Sequence, residues 1–220
     1  MINHKHKFIF IHIPRTGGTS IEKSLLGEDF VKPKDIYKKG IAKHITLVDA
    51  LKRYKEICFT ELYLSFVFVR NPWSRLVSIW KSPYYLDQKL KGFEHFLINF
   101  HPEKHEQPSI NQYDSIAHPT EKIGFIGRFE NIVEDFEKLK ELLKLSDDVK
   151  LLKYYEGHFF NVKNNFEWIC NKYKVVPEQI LDLIKPEEKK HYTEYYNTTT
   201  QEIVEKRCKS DIDFFNYSFK

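Results

Sequence analysis

Cysteine is scarce. Cys58, Cys170 and Cys208 are the only three in 220 residues, odd in number and far apart, so neither a disulfide framework nor a CxxC zinc site is indicated. No apolar run approaches the ~20 residues of a membrane span. Met1 to Lys7 leads to the first apolar segment without a signal-peptide pattern, so a cytoplasmic chain is expected. Charge of one sign is lacking too: 35 Lys and Arg against 31 Asp and Glu leave +4, far short of the basic stripe of a nucleic-acid binder, though still favourable to anionic ligands. His101, His105 and His118 show no regular spacing and no Cys or carboxylate partner, so they read as solvated loop histidines and no metal is expected. What remains is 41% hydrophobic and 30% charged, with 18 Phe and 13 Tyr. That suits one domain over residues 1–220 with a packed core and a site walled by rings.

The chain is organised around Phe8 to Leu26, FIFIHIPRTGGTSIEKSLL. Phe8, Ile9, Phe10, Ile11 and Ile13 form the nearly continuous apolar run of a strand covered on both faces in a parallel sheet, with His12 its only polar member. Pro14 ends the run, and Gly17 and Gly18 supply backbone freedom for a sharp turn in which amides can approach a ligand. Thr19 or Ser20 then caps a helix with Ile21 and Leu25 on one face. A strand leading through a glycine turn to a helix start gathers amide donors and the positive end of the helix dipole, a site for an anion. It is not a Walker A loop, because the basic residue, Arg15, precedes the glycines. PRTGGTS instead resembles the loop with which sulfotransferases hold the 5′-phosphosulfate of 3′-phosphoadenosine 5′-phosphosulfate (PAPS), where Lys is usual at the position of Arg15.

Leu62 to Val69 (LYLSFVFV) is a second strand, apolar on both faces, followed by Arg70, Asn71 and Pro72 as the first residue of a helix. Trp73, Leu76, Val77 and Trp80 mark its core face, and Ser74 and Ser78 share another. VRNPWSRLVS resembles the second sulfotransferase signature, in which an Arg and a Ser, here Arg70 and Ser78, bind the 3′-phosphate. In a parallel sheet both motifs fall at carboxyl ends of strands, the edge where open α/β folds bind ligands.

Elsewhere the sequence is less explicit. Gly27 to Gly40 is polar and reads as a surface excursion. Thr46 caps a short helix through Tyr54, with Leu47, Leu51 and Tyr54 at helical spacing, and His44 stands just before it. Gly92 to Phe100 reads as a short helix burying Phe93, Phe96, Leu97 and Phe100. His101 to Pro119 reads as a long loop of the kind that forms lids or binding edges. Lys122 to Arg128 is a third strand, and Ile132, Val133, Phe136, Leu139 and Leu143 line one face of the next helix. Arg128 and Glu130 read as an internal ion pair. One or two helices are expected within 166–184. Thr199 and Glu202 form a capping box for a last helix carrying Val204, Cys208, Ile212 and Phe215.

FIGRFENIVEDFEKL and the segment from His191 to Phe219 also resemble sulfotransferases, of the heparan 2-O and related bacterial carbohydrate type. The resemblance implies a three-layer α/β fold with a central parallel sheet flanked by helices, similar to nucleotide kinases. It implies sulfuryl transfer from PAPS to an acceptor hydroxyl, with a sugar, a tyrosine and a small alcohol all open as acceptors. It places Arg15, Thr16, Gly17, Gly18, Thr19 and Ser20 on the phosphosulfate, and Arg70 and Ser78 on the 3′-phosphate. Lys189, Lys190, His191 and Tyr192 become candidate nucleotide contacts. His44 becomes the general base, a role suited to histidine with its reference pKa near ~6.5. A small-molecule kinase and a nucleotide-binding module without turnover are the rival readings. The kinase would want a lysine after the glycines, where position 19 is Thr.

Overall fold

The computed structural model describes residues 1–27, 44–53, 63–82, 89, 91–102, 109–117, 123–152 and 190–220. The excursion after Gly27, Tyr54, Cys58, Cys170, His105, His118, Lys189 and the helices expected in 166–184 lie outside them. Among the described residues, four strands form one sheet in the order β1 (Ile2–Asn3), β2 (Phe8–Ile11), β3 (Leu64–Val69) and β4 (Phe125–Arg128). β2 and β3 are parallel with Ile11 opposite Val67, and β3 and β4 are parallel with Val69 opposite Arg128. β1 adds an antiparallel edge, Ile2 facing Ile9. It has too few apolar residues to register as a strand in the sequence, and the pairing comes from the template that β2 presents. His4, beside it, hydrogen-bonds the Tyr63 hydroxyl at 2.9 Å.

The described helices are α1 (Gly18–Leu26), α2 (Leu47–Arg53), α3 (Pro72–Trp80), α4 (Phe93–Asn99), α5 (Ile132–Leu142), α6 (Thr198–Arg207) and α7 (Lys209–Phe215). Successive strand residues point to opposite faces, so each buried strand serves two cores. Phe8, Phe10, Phe66 and Phe68 pack against Ile21 and Leu25 of α1 and against Phe136 and Leu139 of α5. On the other face Ile9, Ile11, Val67 and Val69 meet Leu47 and Ala50 of α2 and Phe215 of α7. Helices on both faces of a mainly parallel sheet make the three-layer α/β arrangement that the sequence implies. A third cluster joins α3, α4 and α6 through Trp73, Leu76, Phe96, Leu97 and Val204, and includes Cys208. Burial pushes the Cys208 thiol up to about 12, which keeps it protonated and unreactive.

Several local details differ from the sequence reading. α1 is capped by Gly17 rather than Thr19 or Ser20, because the chain already turns left-handed there (φ 83°) and the Gly17 carbonyl accepts from Ser20 N. Thr19 and Ser20 therefore occupy its first turn. α6 is capped by Asn197, whose side chain accepts from Thr200 N while Thr200 Oγ1 accepts from Asn197 N, in place of the Thr199 and Glu202 box. The expected single last helix breaks at Cys208 into α6 and α7. Val133 is 56% exposed, so the inward stripe of α5 runs through Phe136 and Leu139 to the C-cap Leu143 without it. Thr46 does cap α2, its Oγ1 accepting from Asp49 N at 3.1 Å.

Gly127 of β4 pairs with Phe68 of β3, and a Cβ added there would lie 2.4 Å from the Phe68 ring. Gly127→Ala should therefore lower stability by about 1–3 kcal/mol, the cost of overpacking a filled core. Urea denaturation is the check. An unchanged midpoint would mean that the ring swings aside at no cost.

Candidate active site

Three chain segments leave the carboxyl ends of the parallel strands on one edge: 12–17 after β2, 70–71 after β3 and 129–131 after β4. The first is shaped by left-handed backbone at Arg15 (φ 68°) and Gly17 (φ 83°). That conformation is strained for arginine, of order 1–2 kcal/mol, and is held by the surrounding packing. Thr16 is buried and spends its hydroxyl within the loop, donating to the Ile13 carbonyl at 2.9 Å. Gly17 is needed for the turn, and both glycines are needed for close packing. A Cβ on Gly17 would sit 2.6 Å from Ile132 Cδ1, and one on Gly18 would sit 2.4 Å from Nε2 of His12. His12 lies beneath the first turn of α1, with Nδ1 hydrogen-bonded to Glu22 Oε1 at 2.8 Å.

The second segment begins α3 as the sequence indicates. Pro72 is its first residue, and Asn71 caps it by accepting from Ser74 N at 3.2 Å. Ser74 and Ser78, one turn apart, each receive a guanidinium: Arg70 Nε donates to Ser74 Oγ at 2.9 Å and Arg15 Nε donates to Ser78 Oγ at 3.0 Å. Arg70 also donates to the Arg15 carbonyl at 3.3 Å and lies 4.2 Å over the ring of Phe129. Burial first, and then the positive charge of Arg15, lower the Arg70 pKa to about 10, with Glu130 acting in the opposite direction. A third arginine, Arg75, is wholly buried and joins the segments, with Nε donating to the Pro14 carbonyl at 3.0 Å and Nη1 to the Ile110 carbonyl at 2.7 Å.

Arg15, Arg70, Ser78, Lys190 and Tyr192 all line one open cleft of ≈ 760 Å³. The side chain of Thr16 is directed into the loop instead. Ser78 meets Arg15 rather than Arg70, so the two sequence motifs interlock at the guanidinium level. Lys190 is exposed, and the Tyr192 hydroxyl donates to the Lys220 carbonyl at 2.5 Å. His44 is outside the cleft lining and packs beside the loop: its Nδ1 lies 3.0 Å from the carbonyl oxygen of His12, and the two rings meet edge to face at 4.9 Å. A carbonyl can only accept, so Nδ1 is the ring nitrogen that donates in this contact.

Arg128 and Glu130, expected to pair with each other, have other partners. Arg128 donates to the Phe215 carbonyl at 2.5 Å and stacks 4.7 Å over the Tyr217 ring. Glu130 accepts from Asn71 N at 2.8 Å and from the Tyr217 hydroxyl at 3.2 Å. Glu130 thus fixes the start of α3, and Tyr217, missed in the sequence, forms cleft wall. Gln112 and Asp211 were missed as well. Gln112, buried, pairs with both backbone polar groups of Arg70. It lies in a polar, aperiodic stretch that carries no signal, whereas Asp211 is a carboxylate on the apolar stripe between Cys208 and Phe215.

Arg75→Lys removes the planar fork that reaches two carbonyls in different directions. The variant should lose about 1–3 kcal/mol, the cost of leaving a buried acceptor unsatisfied, measured by urea denaturation. A loss below a few tenths of that would show that the Pro14 and Ile110 segments are held together by something else.

The arrangement is a cationic cleft at the carboxyl edge of a mainly parallel sheet, between a glycine turn and an Arg–Asn–Pro helix start. No curated protein matches the chain. The model of the sulfotransferase family matches residues 1–218, which span both motifs and the C-terminal wall of the cleft. The chain belongs to the sulfotransferase family.

Proposed function

We propose that the protein transfers a sulfuryl group from PAPS to a hydroxyl of a carbohydrate acceptor. The observation that carries this reading is the pair of guanidiniums, Arg15 and Arg70, each on a serine of α3 and both facing one cleft. Two cations brought together by folding suit a ligand with more than one anionic group, and the lowered pKa of Arg70 reports the burial and repulsion that such a ligand offsets. The α1 start adds the positive end of a helix dipole at the loop, although Gly17, Gly18, Thr19 and Ser20 are outside the cleft lining. PAPS fits this donor set, and when bound it supplies the sulfuryl group. The acceptor oxygen forms its bond to sulfur as the sulfur–oxygen bond to the bisphosphate breaks, and the acceptor proton passes to a base.

Arg70 and Ser78 hold the 3′-phosphate. Arg15 and the loop of residues 16–20 hold the phosphosulfate, with Lys190 and Tyr192 also on the cleft. Arginine stays protonated at working pH, so Arg15 stabilises developing charge on the leaving phosphate without donating a proton. Preorganised positive charge and in-line positioning supply the rate, and no metal enters the reading. His44, which packs beside the loop, is the base that takes the acceptor proton in this reading.

Transfer of radiolabelled sulfate from PAPS to a panel of oligosaccharides, tyrosine peptides and small alcohols tests the activity and the acceptor together. Failure to transfer to any of them, with bisphosphate bound, would favour a binding module. Arg15→Ala should lower the turnover number by roughly 10² or more, the range for a lost oxyanion donor, while Arg15→Lys keeps measurable activity. An unchanged alanine variant removes Arg15 from the mechanism. His44→Ala should leave bisphosphate affinity nearly intact and lower transfer by roughly 10² to 10⁴. Wild-type turnover should fall at acid pH, because a protonated imidazole cannot take a proton. A His44→Ala enzyme with normal turnover and an unaltered acid limb would place the base elsewhere.

A further inference from the structure

The backbone of Arg70 sits at the point where β3 has run out of neighbours and α3 has not yet begun, so its N–H and C=O need partners from elsewhere. One side chain supplies both. Gln112 Oε1 accepts from Arg70 N at 2.8 Å, and Gln112 Nε2 donates to Arg70 O at 2.7 Å, as a neighbouring strand would. The second Nε2 proton goes to Asp211 Oδ2 at 2.9 Å, and Asp211 Oδ1 accepts from Tyr113 N at 2.8 Å. Gln112 and Asp211 are both 0% exposed. An amide that must donate twice and accept once can take only one orientation here, so the carboxylate on α7 decides which way the Gln112 amide faces.

We infer that Gln112, oriented by Asp211, is a positioning residue that sets Arg70 for recognition of the 3′-phosphate, and so sets the selectivity of the cleft for nucleotides that carry one. The inference rests on the reading of Arg70 as the 3′-phosphate ligand. Neither residue lines the cleft, and Arg70 is the lining residue that Gln112 bonds directly. α7 thereby contributes to nucleotide selection through Asp211. Burial raises the Asp211 pKa, opposed by its hydrogen bonds to Gln112 and Tyr113.

The test is the ratio of affinities for adenosine 3′,5′-bisphosphate and AMP, measured by calorimetry on the full chain. Wild type should prefer the bisphosphate, and Arg70→Ala should abolish that preference. Gln112→Met keeps the length of the side chain and removes both bonds to Arg70. It should weaken bisphosphate binding on the order of tenfold, as expected when a charged hydrogen bond is misdirected, with AMP affinity within about twofold of wild type. Asp211→Asn, which keeps one acceptor, should move the ratio in the same direction by less, and decides the matter if Gln112→Met does not fold. Folded variants that lose thermal stability but keep the wild-type ratio would show a structural role only and overturn the inference. If wild type shows no preference, or Arg70→Ala retains it, the underlying reading of Arg70 fails and the inference falls with it.

Discussion

Arg15 and Arg70 carry like charge into one cleft, and much of the surrounding structure serves to keep them there. Repulsion would splay two mobile side chains. Here the Arg15 carbonyl accepts from Arg70, each guanidinium rests on its own serine, and Phe129 covers one face of Arg70. Arg75, buried behind them, ties Pro14 to the segment at Ile110. The cost of this arrangement is seen in the lowered Arg70 pKa and in the left-handed backbone of Arg15. A polyanion bound as proposed would offset the first of these.

The sheet makes that convergence possible. Parallel pairing of β2, β3 and β4 brings the ends of all three strands to one edge, so residues distant in sequence, such as Arg15, Arg70 and Glu130, open onto the same space. The aromatic residues divide the work. Phe8, Phe10, Phe66 and Phe68 fill one core, while Phe129 and Tyr217 wall the cleft and carry the guanidiniums of Arg70 and Arg128 on their faces.

The fold and the cationic half of the site were legible because they rest on local signals. Apolar runs mark strands buried on both faces, and glycine or proline beside a basic residue marks a turn at a strand end. Gln112 and Asp211 were not legible. Their role depends on contacts made 42 and 99 positions away, at the Arg70 backbone and between the two residues themselves. The Arg128–Glu130 pairing failed for a related reason: neighbours in sequence at a strand end were assumed to seek each other, whereas Tyr217 from the C-terminal segment offers both of them a contact. The caps of α1 and α6 lie two or three residues before the expected ones, because the turn geometry at Gly17 and the reciprocal bonding of Asn197 and Thr200 prevail over the nearest hydroxyl.

The most direct measurement is a crystal structure of the protein with adenosine 3′,5′-bisphosphate. The account predicts the 3′-phosphate within hydrogen-bonding distance of Arg70 and Ser78, and the 5′-phosphate on Arg15 and the loop of residues 16–20. A bisphosphate bound outside this cleft, or one whose 3′-phosphate touches neither Arg70 nor Ser78, would contradict it.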